Sequence, residues 1–226
     1  MSLLPSFDPR TVPVHSVDLH LERVLPERLT PEALRLRFRA PPVWQPESSV
    51  ERRFMDRAPA QAAVLVPLVM RAELSLLLTQ RGQHLSTHSG QIAFPGGRCD
   101  DTDTNAVHTA LREAQEEVGL EADFVEVLGT LPTYTTGSAY VVTPVVALVR
   151  PGFALQANPD EVADVFEVPL SFLMNPAHHR RHKVQMNDGE RQWLSMPWRG
   201  ESPAQERYIW GATAGMLRNL YRFLVA

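Results

Sequence analysis

The sequence predicts a domain of class α+β or α/β, on three observations. Two apolar, strand-like runs at 62–70 and 74–79 flank Arg71-Ala72-Glu73. A long amphipathic helix at 104–118 stops at Gly119, and a second long helix at 212–225 ends the chain. Short strands and turn signals fill the space between them in mixed order, with no internal repeat and no low-complexity tract.

Residues 1–58 differ in texture from the rest. They hold many of the 19 prolines, and two short helices are expected between them, at 16–24 and 30–38. In the second, Thr30 caps, Pro31 takes the first helical position and Glu32 places a negative charge in the first turn. This region reads as a helical arm, 1–58, packed on a main domain, 59–226; a partly disordered leader is the alternative. The runs at 62–70 and 74–79 then form a hairpin. A polar loop at 80–90 leads to a short extended piece at 91–94 and to Pro95-Gly96-Gly97. The helix at 104–118 carries a glycine C-cap in Gly119, with Leu120 behind it. Strands follow at 124–131, 141–149 and 161–168, then a helical turn at 171–175. Two further strands, 182–186 and 191–195, flank the turn signal Asn187-Asp188-Gly189.

Composition narrows the function classes. With 22 Lys+Arg against 26 Asp+Glu, the formal net charge is −4, which argues against a protein that coats nucleic acid. The apolar stretch 62–70 is far below the ~20 residues that span a bilayer, so no membrane partner is expected. The start, MSLLPSFDPR, has no basic segment followed by an apolar core, so no secretory signal is read there. The single cysteine, Cys99, excludes an internal disulfide framework or a Cys-rich zinc site, and a reducing, cytoplasmic setting fits best.

The chemistry gathers on the central helix. At ~100° per residue, with Glu113 at zero, Glu116 falls near about −60° and Glu117 near about +40°. Val107, Ala110, Leu111, Ala114 and Val118 cluster roughly 60–160° away. Three carboxylates therefore share one face, while a separate apolar stripe faces the core. Like charges at these spacings oppose one another on a helix, and their convergence invites a hard divalent cation such as Mg²⁺. The bland reading is a solvated acidic face. The Gly-Gly turn upstream favours the cation, because glycine lets backbone atoms approach a ligand closely.

Gly97, then Asp103, then Arg112-Glu113-Ala114-Gln115-Glu116-Glu117-Val118-Gly119-Leu120 resembles the Nudix box. Two features depart from the usual pattern: Asp103 stands for the first Glu, and eight residues instead of seven separate it from Arg112. The longer box and the stretch from Leu77 to Gly97 (LLTQR…LSTHSGQIAFPGG) are similar to the coenzyme A diphosphatase subfamily. So are Asn158-Pro159-Asp160-Glu161-Val162 and Ile209-Trp210-Gly211-Ala212-Thr213. The resemblance spans roughly residues 60–225.

The resemblance implies an α/β Nudix fold, an α/β/α sandwich around a mixed sheet. It implies hydrolysis of the pyrophosphate of coenzyme A or its derivatives to 3′,5′-ADP and 4′-phosphopantetheine, with Mg²⁺ or Mn²⁺. Glu113, Glu116 and Glu117, with the carbonyl of Gly97, would hold the metal, and Arg112 would keep the carboxylates in register. Glu161 is a candidate general base or further ligand. Arg81, His88, Gly96 and Gly97 are expected to bind the substrate, a small nucleotide. Two alternatives stay open: another nucleoside diphosphate derivative such as NADH or ADP-ribose, or a silent nucleotide-sensing module. Homodimerisation is also left open. The run His178-His179-Arg180-Arg181-His182 is read as a solvated basic loop. Cys99 is not expected to act as a nucleophile. Trp193, Trp198 and Trp210 are read as core or rim packing.

Overall fold

The computed structural model describes residues 8–47, 50–51, 58–84, 89–186, 189–200 and 206–226. The N-terminal stretch supplies strand β1 (Val14–Val17) and helix α1 (Pro31–Arg39). Helix α1 starts as expected, with the Thr30 side chain accepting the Ala33 N–H at 3.2 Å and Pro31 in the first turn. The helix expected at 16–24 does not form. Its first residues lie in β1, and Asp18 is claimed by Arg181 at 2.8 Å and Arg218 at 3.1 Å. Tertiary pairing of a buried charge overrides a weak helical propensity there.

The larger sheet is built around β2 (Ala60–Met70), which forms the expected hairpin with β3 (Leu74–Arg81). Short strands β4 (Ile92–Ala93) and β5 (Gly96–Arg98) add to β3 and β2. Helix α2 (Ala106–Val118) follows, then β6 (Val125–Thr130), β7 (Tyr134–Thr135) and β8 (Tyr140–Val149). β8 runs parallel to β2, while β6 and β7 pair with β8 in the antiparallel sense, so the sheet is mixed. β9 (Val162–Pro169) pairs with β3, and a one-turn helix α3 (Leu170–Leu173) ends it.

Alternation along β2 produces the layers. Ala63, Leu65 and Val69 join Ala110, Ala114 and Val118 of α2 in one core. Ala62, Val66 and Leu68 turn to the opposite face, with Leu217, Leu220 and Leu224 of the final helix. A strand buried on both faces gives this even apolar run and the observed α/β/α layering.

A second, four-stranded antiparallel sheet has the order β1, β10 (Arg180–Met186), β11 (Gly189–Arg199), β12 (Glu206–Trp210). The hairpin expected around Asn187-Asp188-Gly189 is present from Arg180↔Ser195 to Met186↔Gly189; Asn187 and Asp188 lie outside the described residues. Helix α4 (Gly211–Val225) leaves β12 directly. Arg207 joins the two sheets, donating to Gln80 Oε1 of β3 at 2.6 Å and pairing with Asp164 of β9.

The basic run at 178–182 is not a solvated loop. His179 and His182 are buried: His179 Nε2 bonds the Leu173 carbonyl at 2.7 Å, and His182 Nε2 meets Ser195 Oγ at 2.8 Å. His182 lies in β10, which is paired on both edges, and His179 packs against Arg218 and Tyr221 of the final helix. Among the described residues, no helix is long and apolar enough to cross a membrane.

Candidate active site

Helix α2 is fixed at both ends. The Asn105 side chain accepts the His108 N–H at 3.0 Å, and Gly119 closes the helix at φ 70°, a left-handed conformation that favours glycine. The loop beyond folds back on the helix end. Gln156 donates its N–H to the Val118 carbonyl and Asn158 to the Glu117 carbonyl, both at 2.9 Å. The Glu161 carbonyl accepts the Gly82 N–H at 2.9 Å, which ties this loop to the end of β3. Glu113, Glu117 and Glu161 thereby line one end of a cavity of about 1440 Å³, with Arg81, Gly96 and Gly97.

Strand β5 crosses the carboxylate face of the helix. A Cβ on Gly97 would lie 2.6 Å from the Glu113 carboxylate, so the close approach requires glycine. Gly96 donates its N–H to Glu117 Oε2 at 3.2 Å. The helical wheel puts Glu117 on the charged, solvent-facing side, yet its side chain is only 5% exposed. Burial pushes its carboxyl up to about 7; the Gly96 N–H and Arg81, 3.8 Å away, oppose this, while the charges of Glu161 and Glu113 add to it. Burial also raises the Glu113 carboxyl, against the pull of Arg112 and with the push of Glu116 and Glu161.

Arg112 is the hub of the helix face. Its Nε and Nη2 grip Asp103 in a two-pronged pair, at 3.1 and 2.9 Å. Its Nη1 lies 3.0 Å from Glu113 Oε1 and 2.9 Å from Glu116 Oε2. Asp103 is 1% exposed, and Arg112, with the Asp100 N–H, holds its carboxyl far below the usual range. The residue that replaces the first Glu of the box thus anchors the arginine. Glu116 shares Arg112 Nη1 with Glu113, but it is 58% exposed and does not line the cavity.

Among the described residues, no three acidic or imidazole side chains stand gathered as a ready cation cluster. The donor set nevertheless suits a hard divalent ion. Glu117 is a buried carboxylate facing an open cavity, its nearest cation 3.8 Å away, with Glu113, Glu161 and a glycine backbone around it. Oxygen ligands of this kind are those that Mg²⁺ and Mn²⁺ take.

The remaining candidates separate. His88 lies outside the described residues. Cys99 is half-buried, its N–H bonds the Gln61 carbonyl at 3.0 Å, and it does not line the cavity. Cys99→Ser is therefore expected to leave the hydrolytic rate within a few-fold of wild type; a covalent Cys99 adduct with substrate in mass spectrometry would contradict this. Trp198 packs on the core as expected, parallel to Phe166 at 6.4 Å. Trp193 and Trp210 instead line the cavity. The anchoring by Asp103 and the placement of these two indoles are what the sequence reading missed.

A NUDIX domain family model matches residues 59–189. The chain is 45% identical over 161 residues to the uncharacterized Nudix hydrolase NudL of Escherichia coli K12, spanning 71% of this chain and 80% of that protein. NudL of Escherichia fergusonii matches with the same identity and coverage, 45% over 161 residues. Among solved structures, a C. elegans Ap4A hydrolase binary complex aligns at 22% identity with a TM-score of 0.42, covering 49% of this chain and 80% of that one. A MutT/nudix family protein from Enterococcus faecalis aligns at 17% identity with a TM-score of 0.44, covering 74% of this chain and 63% of that one.

Proposed function

This chain belongs to the Nudix hydrolase family, whose members hydrolyse nucleoside diphosphate derivatives, and from that premise we propose that it cleaves the pyrophosphate of coenzyme A or a derivative. The products would be 3′,5′-ADP and 4′-phosphopantetheine, made in the cytoplasm. The observation that carries the reading is the juxtaposition, at one cavity end, of Glu113, Glu117 and Glu161 with the cation Arg81. The similarity of the stretches 77–97, 158–162 and 209–213 to coenzyme A diphosphatases supports this substrate over NADH or ADP-ribose. An intact set of carboxylates supports catalysis over silent binding.

In this reading Glu113, Glu117 and the Gly97 carbonyl would hold Mg²⁺ or Mn²⁺ from the cavity, and Glu116, which shares Arg112 with Glu113, would join them from the exposed edge of the helix face. When bound, the ion neutralises charge on the diphosphate and lowers the pKa of water. Arg112 keeps Glu113 and Glu116 oriented through its grip on Asp103. Gly96 fixes the rotamer of Glu117 through its N–H. Glu161 takes the proton of the attacking water at its carboxylate. Arg81 and His88 bind phosphate oxygens.

Incubation with coenzyme A and Mg²⁺ or Mn²⁺, with products identified by mass spectrometry, tests the proposal. Turnover of NADH or ADP-ribose with coenzyme A left intact would overturn the substrate assignment. Arg81→Ala is expected to raise KM for coenzyme A roughly ten-fold or more, and to lower kcat by less. Because Arg81 lies beside Glu117, the increase should be equal for dephospho-coenzyme A, whose diphosphate is the same. An unchanged KM for both substrates would remove Arg81 from the binding set.

A further inference from the structure

The second sheet has two unlike faces. In its register, His182 lies opposite Trp193, and Ser195 opposite Trp210. Cross-strand partners share a face, as do residues two apart, so His182, Trp193 and Trp210 form one stripe across three strands. The other face carries Leu194, Met196 and Ile209, which pack into the core. Trp193 and Trp210 are in neither core cluster and line the cavity that Glu113 and Glu117 also line.

The stripe is fixed in place. His182 is buried, held by Ser195 Oγ at 2.8 Å and by the Val12 carbonyl at 3.1 Å. Its ring lies parallel to Trp193, with centroids 5.3 Å apart and planes at 8°. Trp193 meets Trp210 at 72°, with centroids 6.4 Å apart. Two indoles at this angle make a corner. A flat ring stacked on one indole turns its own edge to the face of the other, and both contacts are favourable between aromatic groups. An aliphatic arm gains nothing from such a corner beyond burial.

The cavity volume, about 1440 Å³, exceeds the ~300–1,000 Å³ of ordinary small-ligand sites, so it suits a ligand with a portion remote from the diphosphate. We infer that the Trp193–Trp210 corner seats the nucleobase of the substrate. The inference rests on the nucleotide reading of the cavity. It assigns to the second sheet, much of which lies beyond the residues the family model matches, the task of reading the base.

The test is direct binding, without turnover. Affinities for 3′,5′-ADP and for 4′-phosphopantetheine are measured by calorimetry on wild type, Trp193→Leu, Trp210→Leu and Trp193→Phe. Each Leu variant should weaken 3′,5′-ADP by about ten-fold or more, the range of base–aromatic stacking. Trp193→Phe should recover most of the loss, which a purely structural role would not predict. Phosphopantetheine, which has no base, should bind all four proteins alike. Unchanged 3′,5′-ADP affinity in both Leu variants, or a loss confined to phosphopantetheine, would overturn the inference. If the Leu variants do not fold, indole emission of the wild type decides: 3′,5′-ADP must quench it saturably and phosphopantetheine must not. Failure of the coenzyme A reading is separable. Trp-dependent binding of 3′,5′-ADP without coenzyme A hydrolysis sinks that reading alone, and hydrolysis without Trp dependence sinks this one alone.

Discussion

Glu117→Gln is expected to reduce hydrolysis by about 10³-fold or more and, in metal-free buffer, to make the protein more stable to heat. The first effect follows if Glu117 is a charged ligand at the reacting diphosphate, since electrostatic contacts of this kind are worth several kcal/mol in the transition state. The second follows from burial. The carboxyl rises from 4.5 to about 7 on folding, so the folded chain holds its proton more tightly than the unfolded chain does. The penalty is absent below pH ~4.5, grows as pH rises and is complete above about 7, where it reaches about 3 kcal/mol. Gln can keep the bond from the Gly96 N–H and carries no charge. At pH 8 the variant should melt roughly 6–12 °C above wild type, and at pH 4.5 the two should melt together. Calorimetry with a chelator reads the stability, and product release with coenzyme A and Mg²⁺ reads the rate. Near-wild-type turnover would remove Glu117 from the catalytic set. A lower melting temperature at pH 8 would show that its charge stabilises the fold.

That prediction differs from what the helical wheel alone supports, and the difference marks where sequence reading ends. Periodicity placed helix α2, its apolar stripe and its glycine stop, because each is a local property of one segment. The wheel cannot see β5 crossing above it, so Glu117 reads as solvated although β5 buries it. The two-pronged grip of Arg112 on Asp103 arises in the same way, from a chain reversal between 98 and 105, whereas the Arg112–Glu116 pair is a local i,i+4 contact along the helix. Strands β4, β5 and β7 have two or three residues each and exist only through their neighbours, which leaves no periodic signal to read. β1 is a four-residue strand with three exposed positions, and β10 supplies its pairing. The indoles were legible as aromatic residues but not as a corner, because their meeting depends on the register of β10, β11 and β12.

The N-terminal stretch is bound to the body of the protein by charge as well as by strand pairing, and this sets the second large effect. Asp18 and Glu47 face Arg181 and Arg218, with contacts of 2.5–3.1 Å. Arg218 is 1% exposed within α4 and also donates toward His179 Nδ1 at 2.9 Å. Burial, with Arg218 alongside, pushes His179 down to about 4, so the imidazole is neutral and the four charges balance. Arg218→Met removes one cation and leaves the buried Asp18 and the partly exposed Glu47 sharing Arg181. Breaking a buried ion network in this way costs about 3–5 kcal/mol, or roughly 6–20 °C in melting temperature. Adding Asp18→Asn should restore part of the loss, because it removes the uncompensated charge. The wild type should also weaken in acid. The folded pKa of His179 lies below its unfolded value of 6.5, so its contribution is complete above pH ~6.5 and is lost progressively down to about 4. If residues 8–47 form one folding unit with the sheets, Arg218→Met should give a single, earlier transition by circular dichroism. A loss below ~1 kcal/mol, or a separate early transition, would show that the N-terminal stretch docks on the domain without helping to hold it together.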